Sequence, residues 1–121
     1  MLAVRNLDDY LGKYASQLGR NAQQALTPLH NPDIQPPKVA RLLRKPFTPQ
    51  AHSITGCVQA LRRQKSVMLV AEMGTGKTLM GMAACHTHAA GKPYHAVVMA
   101  PGQLTKKWER ELRLTIPDVE V

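Results

Sequence analysis

The chain has 121 residues, 44% hydrophobic but 4% aromatic, which fits one globular domain with an aliphatic core and excludes a low-complexity, disordered chain. Lys and Arg total 16 against 8 Asp and Glu, a formal charge of +8, and this balance favours a polyanionic partner over a neutral one. No apolar run approaches the roughly 18 residues of a membrane span, and Arg5, Asp8 and Asp9 stand where a signal peptide needs its apolar stretch, so a cytoplasmic address without membrane contact is expected.

Residues 1–26 read as an amphipathic helix. Leu7, Leu11, Tyr14, Leu18, Ala22 and Ala25 recur at steps of three and four, Asn6 stands as a cap, and Asp8 and Asp9 suit the positive end of a helix dipole. Residues 27–47 read as a Pro-rich basic connector. From Thr27 to Pro49 the chain holds six of its nine prolines, each removing an N–H donor and fixing φ. Val39 to Lys45 is expected as a short helix carrying Arg41 and Arg44. Between Gln35 and Ala71 there is no Asp or Glu, but Lys38, Arg41, Arg44, Lys45, Arg62, Arg63 and Lys65 all fall there. This stretch is either a solvated basic face or a set of phosphate contacts.

Thr48 and Pro49 start the next helix, a capping hydroxyl followed by a residue pre-set for the first turn. Ile54, Val58 and Leu61 form its apolar face, and Arg62, Arg63 and Lys65 close it. Val67 to Ala71 is too short for a helix and is predicted as a buried strand. A helix from about Lys77 carries Leu79, Met80, Met82, Ala83, Ala84 and Cys85, and Gly91 and Pro93 end it. His95 to Ala100 is predicted as a second strand, Gln103 to Leu114 as a helix and Val119 to Val121 as the start of a third strand. This alternation predicts an α/β fold with a parallel sheet flanked by helices, the ligand lying at the carboxyl ends of the strands. Cys57 and Cys85 lack ligand spacing and are expected as reduced, buried thiols. His86 and His88 lie two apart on a helix, on different faces, and are not expected to hold zinc.

Between the first strand and its helix lies Ala71-Glu72-Met73-Gly74-Thr75-Gly76-Lys77-Thr78, which has the chemistry of a phosphate-binding loop. Gly74 and Gly76 tolerate positive φ and a close backbone approach, so successive N–H groups can turn inward as a cradle that includes Thr75. Lys77 supplies a point charge for the β- and γ-phosphates of ATP, and the Thr78 hydroxyl an oxygen for Mg²⁺. Lys77 and Thr78 are therefore the residues expected to act on the nucleotide. The strict pattern has Gly where Ala71 stands.

That departure fits a family. The segment resembles the first motif of superfamily 2 helicases, A-x-x-G-x-G-K-T, a group that includes DEAD-box helicases and Snf-type DNA translocases. Pro101 through Glu111 is similar to the Snf-type pattern P-x-x-L-x-x-x-W-x-x-E, with Leu104 and Trp108 in place. The resemblance implies that residues 48–121 are the front half of a RecA-like, P-loop ATP-binding domain. It implies contact with DNA or RNA through Pro101, Gly102, Gln103 and the following helix, where Lys106 lies. It also implies an adenine-reading glutamine, for which Gln50 is the candidate beside Phe47, the alternatives being His52 or neither residue. Trp108 reads more simply as helix-packing material.

Hydrolysis in that family needs an apolar strand ending in Asp-Glu. Beyond Lys77 the carboxylates are Glu109, Glu111, Asp118 and Glu120, and none follows such a strand. The expectation is an ATP-dependent helicase or translocase piece that is inactive alone, the Walker-B region and the second RecA-like domain lying elsewhere. A different P-loop ATPase, or a non-catalytic nucleic-acid-binding module with a vestigial loop, are the alternatives.

Overall fold

The computed structural model describes residues 6–25 and 28–121. They form α1 (Leu7–Ala25), α2 (Thr48–Arg63), α3 (Lys77–Ala89), a 3-10 turn over Gly102–Leu104, and α4 (Thr105–Thr115). The core lies between α2 and α3, where Ile54, Cys57 and Val58 meet Leu79, Met80, Ala83 and Ala84. These residues fall at helical spacing on each partner, so each helix buries one continuous face.

The expected parallel sheet is not present: among the described residues there is no strand. Residues 67–71 keep the period-two pattern of extended chain, with Leu69 and Ala71 turned to the core while Met68 and Val70 are 85% and 81% exposed. In residues 95–100, Val97 and Met99 are 92% and 95% exposed. A strand exists only where a neighbour takes up its ladder hydrogen bonds, and neither segment has such a neighbour among the described residues. The expected third strand at Val119 to Val121 is also absent.

The start of α2 differs by one residue from expectation. Phe47 is the N-cap, Thr48 is already helical, and Gln50 closes the turn by accepting the Phe47 N–H on Oε1 at 2.9 Å. At the other end Arg62 and Arg63 occupy the last turn, where cations complement the negative end of the dipole. Helix α3 ends in left-handed backbone at Ala90 (φ 53°) and Gly91 (φ 79°).

Residues 38–43 are a strap, not the short helix expected from Val39 to Lys45. The main chain donates outward three times: Lys38 N–H to Thr55 Oγ1 on α2 at 2.9 Å, Ala40 N–H to Thr87 Oγ1 on α3 at 3.1 Å, and Leu43 N–H to the Thr115 carbonyl on α4 at 2.9 Å. Donors used across three helices are unavailable for a helix of their own. Between them Val39 and Leu42 pack on the α2/α3 core, and Arg44 ties the end of the strap to Glu111 of α4 at 2.9 Å.

Helix α1 is capped by the Asn6 side chain, which accepts the Asp9 N–H at 2.8 Å. Its stripe stays largely open, with Leu7 69%, Leu11 44% and Leu18 40% exposed, and among the described residues α1 packs against no other helix. No helix described is long and apolar enough to cross a membrane.

Two substitutions are expected to stabilise the fold. Ala90→Gly relieves a left-handed alanine, for about 1 kcal/mol. Thr115→Val removes a wholly buried hydroxyl that has no hydrogen-bond partner, for about 1 kcal/mol or more. Urea unfolding checks both; a lower midpoint in either variant contradicts the reasoning. The two thiols should also separate. Cys57 is buried and Cys85 exposed, and burial pushes the Cys57 thiol above the usual range. A disulfide reagent near neutral pH should therefore modify Cys85 at least about tenfold faster than Cys57.

Candidate functional site

The site is built where α2 and α3 begin. Gly74 and Gly76 take φ of 82° and 84°, a backbone that only glycine adopts without strain. Gly76 is the N-cap of α3, and the first amide in the helix to find its i−4 partner is Met80, bonded to the Gly76 carbonyl at 3.0 Å. The N–H groups of Lys77, Thr78 and Leu79 therefore have no acceptor within the helix. They face the loop with the positive end of the α3 dipole, an arrangement that suits an anion.

The loop holds itself closed. Thr75 Oγ1 donates to the Glu72 carbonyl at 2.8 Å. The Lys77 ammonium folds back and donates to the carbonyls of Ala71 at 3.0 Å and Glu72 at 2.7 Å. It remains exposed, and Thr78 is half-buried. Gln50 reaches across from α2, its Nε2 donating to the Thr75 carbonyl at 2.9 Å while its Oε1 holds Phe47 N–H. A Cβ at Gly76 would lie 2.6 Å from Gln50 Nε2, so glycine there serves both the φ and the close approach. Two positive-φ glycines, three free helix-start amides, an ammonium and one hydroxyl fit a nucleotide's phosphates with Mg²⁺.

A family model described as type III restriction enzyme, res subunit, matches residues 43–120. The chain belongs to that family. The match runs from the end of the strap through α4 and includes the loop and Gln50, whereas α1 lies outside it. As a member of the res-subunit family the chain carries a helicase-like superfamily 2 module of the ATPase type, a type that uses ATP and Mg²⁺; the match does not extend to the Snf-type subfamily. No curated protein and no solved structure matches the chain.

The remaining sequence-predicted residues of this res-subunit module lie at the start of α4 and in the turn before it. Pro101, Gly102 and Gln103 are exposed in and before the 3-10 turn, and Lys106 is exposed in the first turn of α4. That turn is fixed by the Leu104 N–H on the Pro101 carbonyl at 2.8 Å and by Thr105 Oγ1 on the Gly102 carbonyl at 2.9 Å. Trp108 is half-buried. His52, the alternative to Gln50, is engaged elsewhere: its Nδ1 shares a hydrogen bond with His30 Nε2 at 2.7 Å, with the rings stacked at 5.0 Å. Phe47 is 75% exposed at the foot of Gln50.

Sequence reasoning missed the Gln50–Thr75 bridge and the His30–His52 pair, both of which depend on contacts more than twenty residues apart. It also counted Arg44 among the available cations, whereas Glu111 engages it.

Gly76→Ala should cost about 1–2 kcal/mol from the left-handed backbone and roughly 1 kcal/mol more for the displaced Gln50 hydrogen bond. In a Gln50→Ala background the second part disappears, so a double-mutant cycle by urea unfolding should show positive coupling between the two positions. Simple additivity would show that Gln50 does not constrain the loop.

Proposed function

We propose that this chain binds ATP and Mg²⁺ through Gly74, Thr75, Gly76, Lys77 and Thr78, as the ATP-binding part of a helicase-like motor that works on nucleic acid. The observation that carries the reading is the head of α3: two positive-φ glycines, free amides and Lys77 converge there, within the span matched by the res-subunit family. Bound ATP supplies a phosphoanhydride bond whose cleavage drives motion in such motors.

The chain's own residues divide the work of binding. Lys77 leaves the Ala71 and Glu72 carbonyls and turns to the β- and γ-phosphates, trading dipole partners for full charges. Thr78 offers its hydroxyl oxygen to Mg²⁺. The amides of Lys77, Thr78 and Leu79 complete the cradle. Gln50 acts as a positioning residue that joins the start of α2 to the loop, and the adenine is read on its side of the loop, next to the exposed Phe47 ring. Pro101, Gly102, Gln103 and Lys106 meet the sugar-phosphate backbone of DNA or RNA, where an exposed turn and a helix start present polar groups to solvent. Among superfamily 2 actions, translocation of the Snf type is favoured by the spacing of Pro101, Leu104, Trp108 and Glu111.

Hydrolysis is a separate matter. No apolar run in the sequence leads into Asp-Glu, so no residue pair is placed to hold the metal and orient water. A fluorescent ATP analogue should bind the wild-type chain in the presence of Mg²⁺, and Lys77→Ala should weaken binding by at least about tenfold, the loss of one charge-assisted contact. Steady-state ATPase should stay at background with and without nucleic acid. Binding indifferent to Lys77→Ala would instead favour a vestigial loop in a nucleic-acid-binding module.

A further inference from the structure

Beyond the loop, along the C-terminal halves of α2 and α3, the strap and these two helices line an open concavity. Helices α2 and α3 both start at the Gln50–Thr75 contact, and both finish beside a cavity of about 500 Å³ lined by Arg62, Ala90 and Gly91. Its α2 lining runs from Thr55 to Arg62, so along the helix axis the cavity begins about 8 Å from Gln50 and ends about 18 Å from it. Pro37, Val39 and Ala90 contribute apolar surface, and Lys38 and Arg62 line it from two different elements. Both cations are exposed.

Its electrostatics are one-sided. Between Gln35 and Trp108 the sequence contains a single carboxylate, Glu72, and that residue lies in the phosphate loop. Every segment lining the cavity is therefore free of negative side chains. Arg62 by itself is accounted for as a complement to the α2 dipole. The dipole gives no reason for Lys38 to converge on it from the strap, nor for an apolar floor between them.

We propose that this cavity is a second nucleic-acid contact, taking one nucleotide of a single strand, with the phosphate on Lys38 and Arg62 and the base against Pro37, Val39 and Ala90. The inference rests on the reading of the chain as part of a nucleic-acid motor and extends it to a face that reading does not use. A single strand is specified because its bases are free to leave the stack and enter a concavity, whereas the bases of a duplex are not. Such binding combines cations that track the backbone with side chains that carry the base, commonly aromatic rings; in this cavity aliphatic side chains occupy that place.

The test is fluorescence anisotropy of a labelled oligothymidylate with the full chain across a salt series. Lys38→Gln/Arg62→Gln is compared with the control pair Lys13→Gln/Arg20→Gln on α1, and far-UV circular dichroism checks folding. The cavity pair should weaken binding about tenfold at low salt and flatten the slope of log K against log salt by about 1.4, two phosphate contacts on a single strand. Binding of the ATP analogue should be unchanged. An equal loss in the α1 pair, a loss seen with duplex alone, or competition by AMP as effective as by the oligonucleotide overturns the proposal. No nucleic-acid binding by the wild-type chain overturns it together with the nucleic-acid part of the proposed function, while binding of the ATP analogue that depends on Lys77 leaves the nucleotide part standing.

Discussion

The packing of α3 against α2 sets the position of every group at the phosphate loop. Ile54 and Ala83 are wholly buried, and Cys57, Val58, Met80 and Ala84 close around them. Small residues at Ala83 and Ala84 let the two helices approach closely. The helices begin side by side, so Gln50 in the first turn of one stands opposite Thr75, just ahead of the other. A change of register between them would carry Lys77 and Gln50 apart, because each belongs to the first turn of its own helix. Large-to-small changes at Ile54 would therefore act on the loop as well as on stability.

The strap extends that constraint to the fourth helix. Its three outward main-chain donors reach α2, α3 and α4 in turn, while Val39 and Leu42 cover the core from the same side. Val39 and Leu42, three residues apart, both turn to the helix pair, so the strap does not follow the two-residue alternation of a strand, and Lys38 and Arg41 are left in solvent. The prolines before it fit this role, since a residue without an N–H suits a segment that is not to become a helix. The strap thus lines the basic cavity with Lys38, Val39 and Ala40 and continues to α4 through Leu43.

Local signals were legible in the sequence, and non-local ones were not. The helical periodicity of Leu79, Met80, Ala83 and Ala84 and the glycines of the loop each act within a few residues, and the structure shows their effects where the sequence places them. The α/β reading failed because residues 67–71 and 95–100 hold short continuous apolar runs, and such a run reports an extended chain suited to burial; pairing depends on another segment. The same reason explains the strap. Arg41 and Arg44 at helical spacing suggested a helix, but Thr55, Thr87 and Thr115 offered acceptors from distant parts of the chain, and no local pattern records that.

The state of Lys77 bears on how the loop can serve an anion. Its ammonium is held by two carbonyl oxygens, and among the described residues it forms no ion pair with the Glu72 carboxylate although Glu72 belongs to the same loop. Carbonyl dipoles orient a charge without cancelling it, so the loop keeps a full positive charge beside the free amides of α3. A carboxylate partner would have had to be broken at the expense of a charge-assisted bond, whereas two neutral acceptors exposed to solvent can be replaced by water at little cost. The closed loop therefore holds Lys77 on neutral, replaceable partners and leaves its charge unpaired by a carboxylate.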